Sequence, residues 1–306
     1  MSSGSMTGAA RYLGIGQPAV TRMVRDLEAS VGFQLFHRNG PRISPTDRGL
    51  RFYEEVQRLT AGMREIRARA GAIRDERLPG FDVAATPTMA GGLVGPAMAA
   101  LGPGLPELVT LKTMSAEHVA RALKDRSADY GLSAFPFDHA DLKRHVIAAS
   151  NLVAAVPTGG PFDRAGPMAL AEVADTRLVT VGNAYRIRHT IDRAFADAGI
   201  ETRRQMATNS SLNAVMAARA GLGVAIVDPV TAWGIPIEGV TIRPLAVDLP
   251  YLWCLFSASG RSMPSVLAPF ADAFRVACAE TIPGCRFIDP DDTDLIRRLT
   301  TNGGKP

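Results

Sequence analysis

The sequence predicts an α/β protein in three parts: a small helix-turn-helix with a β-hairpin wing over residues 1–45, a long self-pairing helix over 46–78, and a two-lobed α/β domain over 79–290. Three observations carry this reading. Positive charge gathers at the N-terminus, an unbroken heptad repeat follows it, and beyond Pro79-Gly80 strands and helices alternate. The final stretch, 291–306, is polar and is expected to be a disordered tail.

A chain of 306 residues exceeds one ordinary core and fits two or three folding units. With 46% apolar and 21% charged residues it reads as globular, which sets disordered and fibrous classes aside. No apolar run approaches the roughly 18 to 20 uncharged residues that a membrane span needs. The start Met1-Ser2-Ser3-Gly4-Ser5 has neither the basic nor the apolar segment of a signal peptide, so a cytoplasmic location is the expectation. Cys254, Cys278 and Cys285 lack metal-ligand spacing and are expected to be reduced structural thiols. His37, His118, His139, His145 and His189 are scattered, so neither a metal nor another cofactor is expected.

The charge is unevenly placed. Residues 1–78 hold 13 Arg, no Lys and 8 Asp or Glu, an excess of five positive charges, whereas the remainder holds 21 basic and 22 acidic residues. A basic, Arg-only segment on a near-neutral body suits a phosphate-binding module attached to a ligand-sensing domain.

Within that segment, Thr7 to Leu13 predict a short helix with Thr7 as its cap, broken at Gly14-Ile15-Gly16. From Gln17 a second helix places Val20, Val24, Leu27 and Val31 on one face, which is expected to pack inward. Gln17, Thr21, Arg22 and Arg25 fall off that stripe at the helix start, the end that enters the major groove in a helix-turn-helix. Asn39-Gly40 predicts a tight hairpin turn, and Arg38 and Arg42 beside it would reach the minor groove or the phosphate backbone.

Gly4-Ser5-Met6-Thr7-Gly8-Ala9-Ala10, Gln17-Pro18-Ala19-Val20-Thr21-Arg22, Leu27-Glu28, Gly32, Leu35-Phe36-His37-Arg38 and Pro45-Thr46-Asp47-Arg48-Gly49 together resemble the signature of LysR-type transcriptional regulators. The resemblance implies operator-DNA contacts at Gln17, Pro18, Thr21, Arg22 and Arg38, with Arg25 and Arg42 beside them. It also implies two departures. Gly16 stands where the family usually caps the recognition helix with Ser or Thr, a loss of a few tenths of a kcal/mol. The family also carries a further amphipathic helix before the Gly-Ser, so the chain is expected to be truncated, leaving the stripe of residues 20–31 partly exposed. Either the start is mis-assigned or DNA binding is defective.

Beyond a cap at Thr46, Phe52, Val56, Leu59, Met63, Ile66, Ala70 and Ile73 alternate steps of four and three. This seam predicts a homodimer through residues 46–78, which would hold two recognition helices at the spacing a pseudo-palindromic operator requires. A homotetramer and DNA bending are what the resemblance implies.

After Pro79-Gly80, strands Phe81 to Ala85, Val109 to Thr113 and Tyr130 to Ser133 alternate with helices near Leu93 to Leu101 and Ala116 to Lys124, which predicts a parallel sheet. A second set has strands Leu152 to Val156, Arg177 to Val181 and Val224 to Val227, with helices near Ile187 to Ala198 and Ser211 to Ala220. Lobe I is expected to comprise 79–150 and 256–290, closed by a helix over Ser265 to Cys278, and lobe II to comprise 151–255.

Ligands of such sheets sit beyond the carboxyl ends of the strands. This points to Thr86, Thr88, Met89, Ser115, Phe135, Tyr185, Arg186, Asn209, Ser210 and Asp228 as effector-binding candidates. Hydroxyls and backbone N–H groups at helix starts can hold a carboxylate, and Asp228 could hold an ammonium or cap a helix. This part resembles the family's effector domain, similar to a periplasmic solute-binding fold, and Gly221-Leu222-Gly223 leading into Val224 to Pro229 matches its usual pattern. Asp228 before Pro229 looks like the branch that responds to opines and basic amino acids. The competing reading is a solute-binding protein without DNA binding, since residues 80–290 alone would fit one. Catalysis is not expected. Gly91, Gly92 and Gly95 miss the G-x-G-x-x-G spacing of a dinucleotide loop, and there is no G-x-S-x-G elbow.

Overall fold

The computed structural model describes residues 5–39, 42–53, 55–56, 70, 80–135, 141–182, 187–260 and 268–301. The chain divides into two compact units, Met1–Pro79 and Gly80–Pro306. Among the described residues no helix is long and apolar enough to cross a membrane.

In the first unit, helix α1 (Met6–Leu13) is capped by Ser5, whose Oγ accepts the Gly8 N–H at 3.0 Å. The cap is therefore two residues earlier than Thr7, because Ser5 alone has the extended backbone that aims its hydroxyl at the first turn. Gly14, at φ 68°, ends α1 in the left-handed region. Helix α2 (Gln17–Val31) starts at Gly16 without a side-chain cap and carries Pro18 in its first turn. Its apolar stripe is only partly covered. Val20 is buried and Val24 half-buried, while Leu27 is 42% exposed.

Strands β1 (Phe36–Asn39) and β2 (Arg42–Pro45) pair antiparallel, with Phe36 opposite Pro45 and Asn39 opposite Arg42. The Glu28 carboxylate anchors this hairpin by accepting the N–H groups of Leu35 (2.8 Å) and Phe36 (3.2 Å). Thr46 Oγ1 accepts the Gly49 N–H at 2.9 Å, the expected cap of the next helix. A Cβ on Gly49 would lie 2.2 Å from the Leu35 carbonyl oxygen, so only glycine fits. Most of the heptad seam, including Leu59, Met63, Ile66 and Ile73, lies outside the described residues.

The second unit contains two mixed sheets. In the first, β3 (Phe81–Ala85) lies between β4 (Val109–Thr113) and β5 (Tyr130–Phe135), all parallel as expected. It continues antiparallel through β12 (Pro250–Ala258), β6 (Leu142–Asn151) and β13 (Arg286–Ile288). In the second, β8 (Arg177–Val181) lies parallel between β9 (Arg204–Thr208) and β10 (Val224–Val227), followed antiparallel by β7 (Val153–Pro157) and β11 (Val240–Pro244). The sheets are thus mixed and not purely parallel, because β6 and β12 carry the chain between lobes in opposite directions. The return strand joins the first sheet at Pro250, six residues before the expected boundary at 256. At the crossing the Leu152 N–H donates to the Leu249 carbonyl at 2.8 Å, and the Asn151 amide to Asp248 at 2.7 Å.

Both faces of the first sheet are buried. Phe81, Val83 and Ala85 pack under α3 (87–101) and α9 (Phe270–Thr281), and Ala84 packs under α4 (Ala116–Lys124). The second sheet is covered by α5 (Leu170–Ala174) and α6 (Ile187–Asp197) on one side and by α7 (Ser211–Arg219) on the other. Helix α8 (Pro229–Gly234) follows β10. The polar C-terminal stretch also forms a helix, α10 (Thr293–Thr301), and not a disordered segment, because Leu295, Ile296 and Leu299 give it an apolar side that packs on the first lobe. The Asp292 carboxylate accepts the Leu295 N–H at its start.

Candidate functional sites

The start of α2 presents a polar face. Thr21, Arg22 and Arg25 lie on the side turned away from Val20 and Val24, and Gln17, Pro18, Arg22 and Arg25 are exposed. The Gln17 amide donates to Thr21 Oγ1 at 3.1 Å, which orders the first turn. Arg25 meets Asp26 only at 3.9 Å between exposed side chains, a pairing worth little, so its charge is available to a phosphate. Arg38 and Arg42 lie on the two hairpin strands, and their side chains are outside the described residues.

In the second unit, Thr86, Ser115 and Ser210 each occupy the N-cap of a helix with extended backbone, yet none uses its hydroxyl to cap. The Ser115 hydroxyl instead lies 2.7 Å from His118 Nδ1, and Ser115 and Asn209 are exposed. These starts follow β3, β4 and β9, so helix starts without a side-chain cap lie beyond strand ends in both sheets. Tyr185 and Arg186 lie outside the described residues.

Three candidates are placed elsewhere. Met89 is fully buried in the core between α3 and α9, and Phe135 packs beside Phe256 in the opposite core layer. Asp228 caps α8: its carboxylate accepts the Thr231 N–H at 2.7 Å and the Thr231 hydroxyl at 3.0 Å, and Ser211 donates to it as well. It is 1% exposed and so offers no face to a ligand ammonium. Burial pushes its pKa up while these donors pull it down.

Asp228 instead belongs to a contact that joins the lobes. Thr231 Oγ1 lies 3.3 Å from Thr88 Oγ1 at the start of α3. Beside it the helices meet backbone to backbone, since a Cβ on Gly234 would lie 2.7 Å from both the Cα and the carbonyl oxygen of Gly92. A Cβ on Gly92 would strike Val230 at 2.8 Å. The chain here makes a π-helical turn, Ala90–Val94, within α3. Gly91 and Gly92 after β3 therefore serve close helix packing, whereas Gly95 has nothing within 4 Å.

Residues 79–279, well over half of the chain, match the family model of the LysR substrate binding domain, and residues 1–50 match that of the bacterial regulatory helix-turn-helix protein, lysR family. The chain belongs to the LysR family. This LysR-type regulator joins a DNA-binding helix-turn-helix to an effector-binding domain. It is 25% identical over 273 residues to the transcriptional activator protein LysR of Escherichia coli (strain K12), covering 89% of this chain and 88% of that one. It is 27% identical over 280 residues to the octopine catabolism/uptake operon regulatory protein OccR of Rhizobium meliloti, covering 90% and 91%. Its fold matches that of full-length CbnR complexed with its target DNA, at a TM-score of 0.69 and 23% identity, covering 90% of this chain and 95% of that one.

For the regulator, sequence reasoning missed Thr231, Gly234 and Tyr251. Tyr251, on β12, packs against core residues of both lobes and is raised in pKa by burial and by Asp228. A signal was present for Thr231: Asp-Pro-x-Thr is a capping sequence, with proline at the first helical position and a hydroxyl at the third.

Proposed function

We propose that this regulator senses an amino-acid-like or opine effector bound between its lobes, and that the effector carboxylate is held at Thr86, Thr88, Ser115, Asn209 and Ser210. The observation that carries this is the set of three N-cap hydroxyls at helix starts that make no capping hydrogen bond. The relation to OccR supports the chemical class, because that protein regulates an octopine operon. Tyr185 and Arg186, which follow β8 in the sequence, are assigned to the site as well. Effector binding shifts the lobes about α8, and the shift reaches operator DNA through a homodimer formed by residues 46–78, assembled as a tetramer that bends the DNA. On the DNA side Gln17, Pro18, Thr21, Arg22 and Arg38 contact the operator, with Arg25 and Arg42 on the backbone. The protein acts in the cytoplasm and carries out no catalysis.

Thermal unfolding of the full chain in the presence of amino acids, octopine-type opines and carboxylates without an amino group tests the effector. At a hundredfold excess over Kd a true effector adds about 2.7 kcal/mol, which is roughly 5–10 °C for a domain of this size. Stabilisation by opines or amino acids alone is the expected result. A flat response across that set, or one confined to the simple carboxylates, overturns the class.

A further inference from the structure

Asp228, Thr231 and Thr88 form a line that runs from a sealed carboxylate to a half-buried hydroxyl on the other side of the contact between the lobes. The Thr231 hydroxyl lies 3.0 Å from Asp228 Oδ2 and 3.3 Å from Thr88 Oγ1. Asp228 and Thr231 are each 1% exposed, so Thr88 is the member of the line with a face toward solvent. Among the described residues Asp228 makes no ion pair. Its carboxylate is held instead by the Thr231 N–H at 2.7 Å, by the Thr231 hydroxyl and by Ser211. Donors that stand in for its lost hydration suit the charged form. A hydroxyl has one proton to give and accepts through its lone pairs. Thr231 can therefore donate to Asp228 or to Thr88, but not to both. The charged oxygen is the stronger acceptor and also the nearer one, so the proton goes to Asp228. The Thr88 hydroxyl must then spend its own proton on Thr231, since the two oxygens need one proton between them. What Thr88 offers to solvent is a lone pair, polarised by the negative charge at the buried end of the line.

We propose that the Thr88 hydroxyl accepts a hydrogen bond from the α-ammonium of the effector, and that Thr231 carries the charge of Asp228 to it. The assignment rests on the reading of an amino-acid-like or opine effector between the lobes, and it divides that reading. Thr88 takes the nitrogen, and the neighbouring carboxylate falls to Thr86, Ser115, Asn209 and Ser210. A carboxylate at the Thr88 hydroxyl would meet a lone pair backed by a buried negative charge, and would be repelled. Asp228 touches no ligand in this arrangement; it is a positioning residue that fixes which way the Thr88 proton points. The bound ammonium also completes a chain of hydrogen bonds from effector to Thr88, Thr231 and Asp228, so the nitrogen end of the effector reinforces the contact by which α8 joins the lobes.

Titration calorimetry on the full chain tests this with whichever of octopine, L-arginine and L-lysine stabilises it most, paired with the same carboxylate lacking its α-nitrogen. The native protein should prefer the nitrogen-bearing ligand by about tenfold or more, as expected of a hydrogen bond to a charged group. Thr88→Val should weaken that ligand to the level of its nitrogen-free analogue while leaving the affinity for the analogue unchanged. Thr231→Val, of the same shape and with the backbone N–H of the cap intact, should also erase the preference, whereas Thr88→Ser should keep it. A native protein that binds the two ligands equally overturns the proposal without recourse to any variant. So does a Thr88→Val protein that weakens both alike, the mark of a hydroxyl that donates to the carboxylate. Binding of none of the three nitrogen-bearing ligands by the native protein overturns the effector reading itself, and this assignment with it.

Discussion

His145 stands at a β-bulge, since Leu255 pairs with Val146 and Phe256 with Arg144, leaving it without a partner across the ladder. Its Nε2 lies 2.8 Å from Ser257 Oγ and its ring meets Tyr130 edge-on at 5.3 Å. Burial, and then the charge of Lys143, lower its pKa below 6.5. Its carbonyl accepts from Arg275 at 3.4 Å. The unfolded chain therefore binds this proton more readily than the folded one. The associated stability is complete above pH 6.5 and is lost as pH falls through that value toward the folded pKa. Urea midpoints between pH 8 and 5 should decline for the native protein and decline less for His145→Gln; parallel curves would exclude His145 as the source. Arg243 shows the opposite solution for a buried cation. It is 2% exposed, donates to the carbonyls of Phe162, Gly166 and Pro167, and lies 3.4 Å from Glu172.

At the scale of elements, α8 deserves a direct test because it touches both lobes. Val230 lies in the core of the first, Ala232 in that of the second, and Trp233 packs against both. Gly234→Ala would push its Cβ into the Gly92 backbone, which cannot move as a flexible side chain can. It should cost about 1–3 kcal/mol in chemical denaturation and also change effector affinity. Gly95→Ala, on the same α3 helix but with nothing within 4 Å, should stabilise by about 0.4–1 kcal/mol. Equal effects from the two would show that the close approach of α3 and α8 carries no energetic weight. The unequal pair also separates helix propensity from interlobe packing, since both substitutions replace glycine in a helix.

At the scale of the whole molecule, thirteen arginines in the first 78 residues make DNA affinity depend on salt. Arg22→Ala and Gln17→Ala separate the two components of binding. The arginine variant should weaken binding to operator and unrelated DNA alike and reduce the salt slope by about one, whereas the glutamine variant should lose mainly discrimination between sequences. Fluorescence anisotropy against both DNAs over a salt series reads both quantities. A glutamine variant that weakens the two DNAs equally would remove Gln17 from base reading.

The sequence alone determined the family, the two α/β lobes and the polar start of α2, because these rest on local signals. Capping residues, glycine turns, helical periodicity and runs such as Val224 to Val227 are set within a few residues of chain. Strand β6 escaped notice because Leu142 to Asn151 mixes charged residues with alanines and shows no alternation, being covered on both faces by distant helices. Helix α10 escaped because three apolar residues among polar ones give a stripe only once the first lobe supplies its partner. The candidate site divided the same way. The strand ends that hold Thr86, Ser115 and Ser210 were legible as positions, but whether a hydroxyl caps, faces a neighbour or stays unused depends on backbone angles and contacts across the fold. Asp228 is the clearest case: an acid beyond a strand end could hold an ammonium or cap a helix, the cap with Thr231 is local, and only the arrival of Ser211, and of Thr88 beside Thr231, from distant parts of the chain seals it between the lobes.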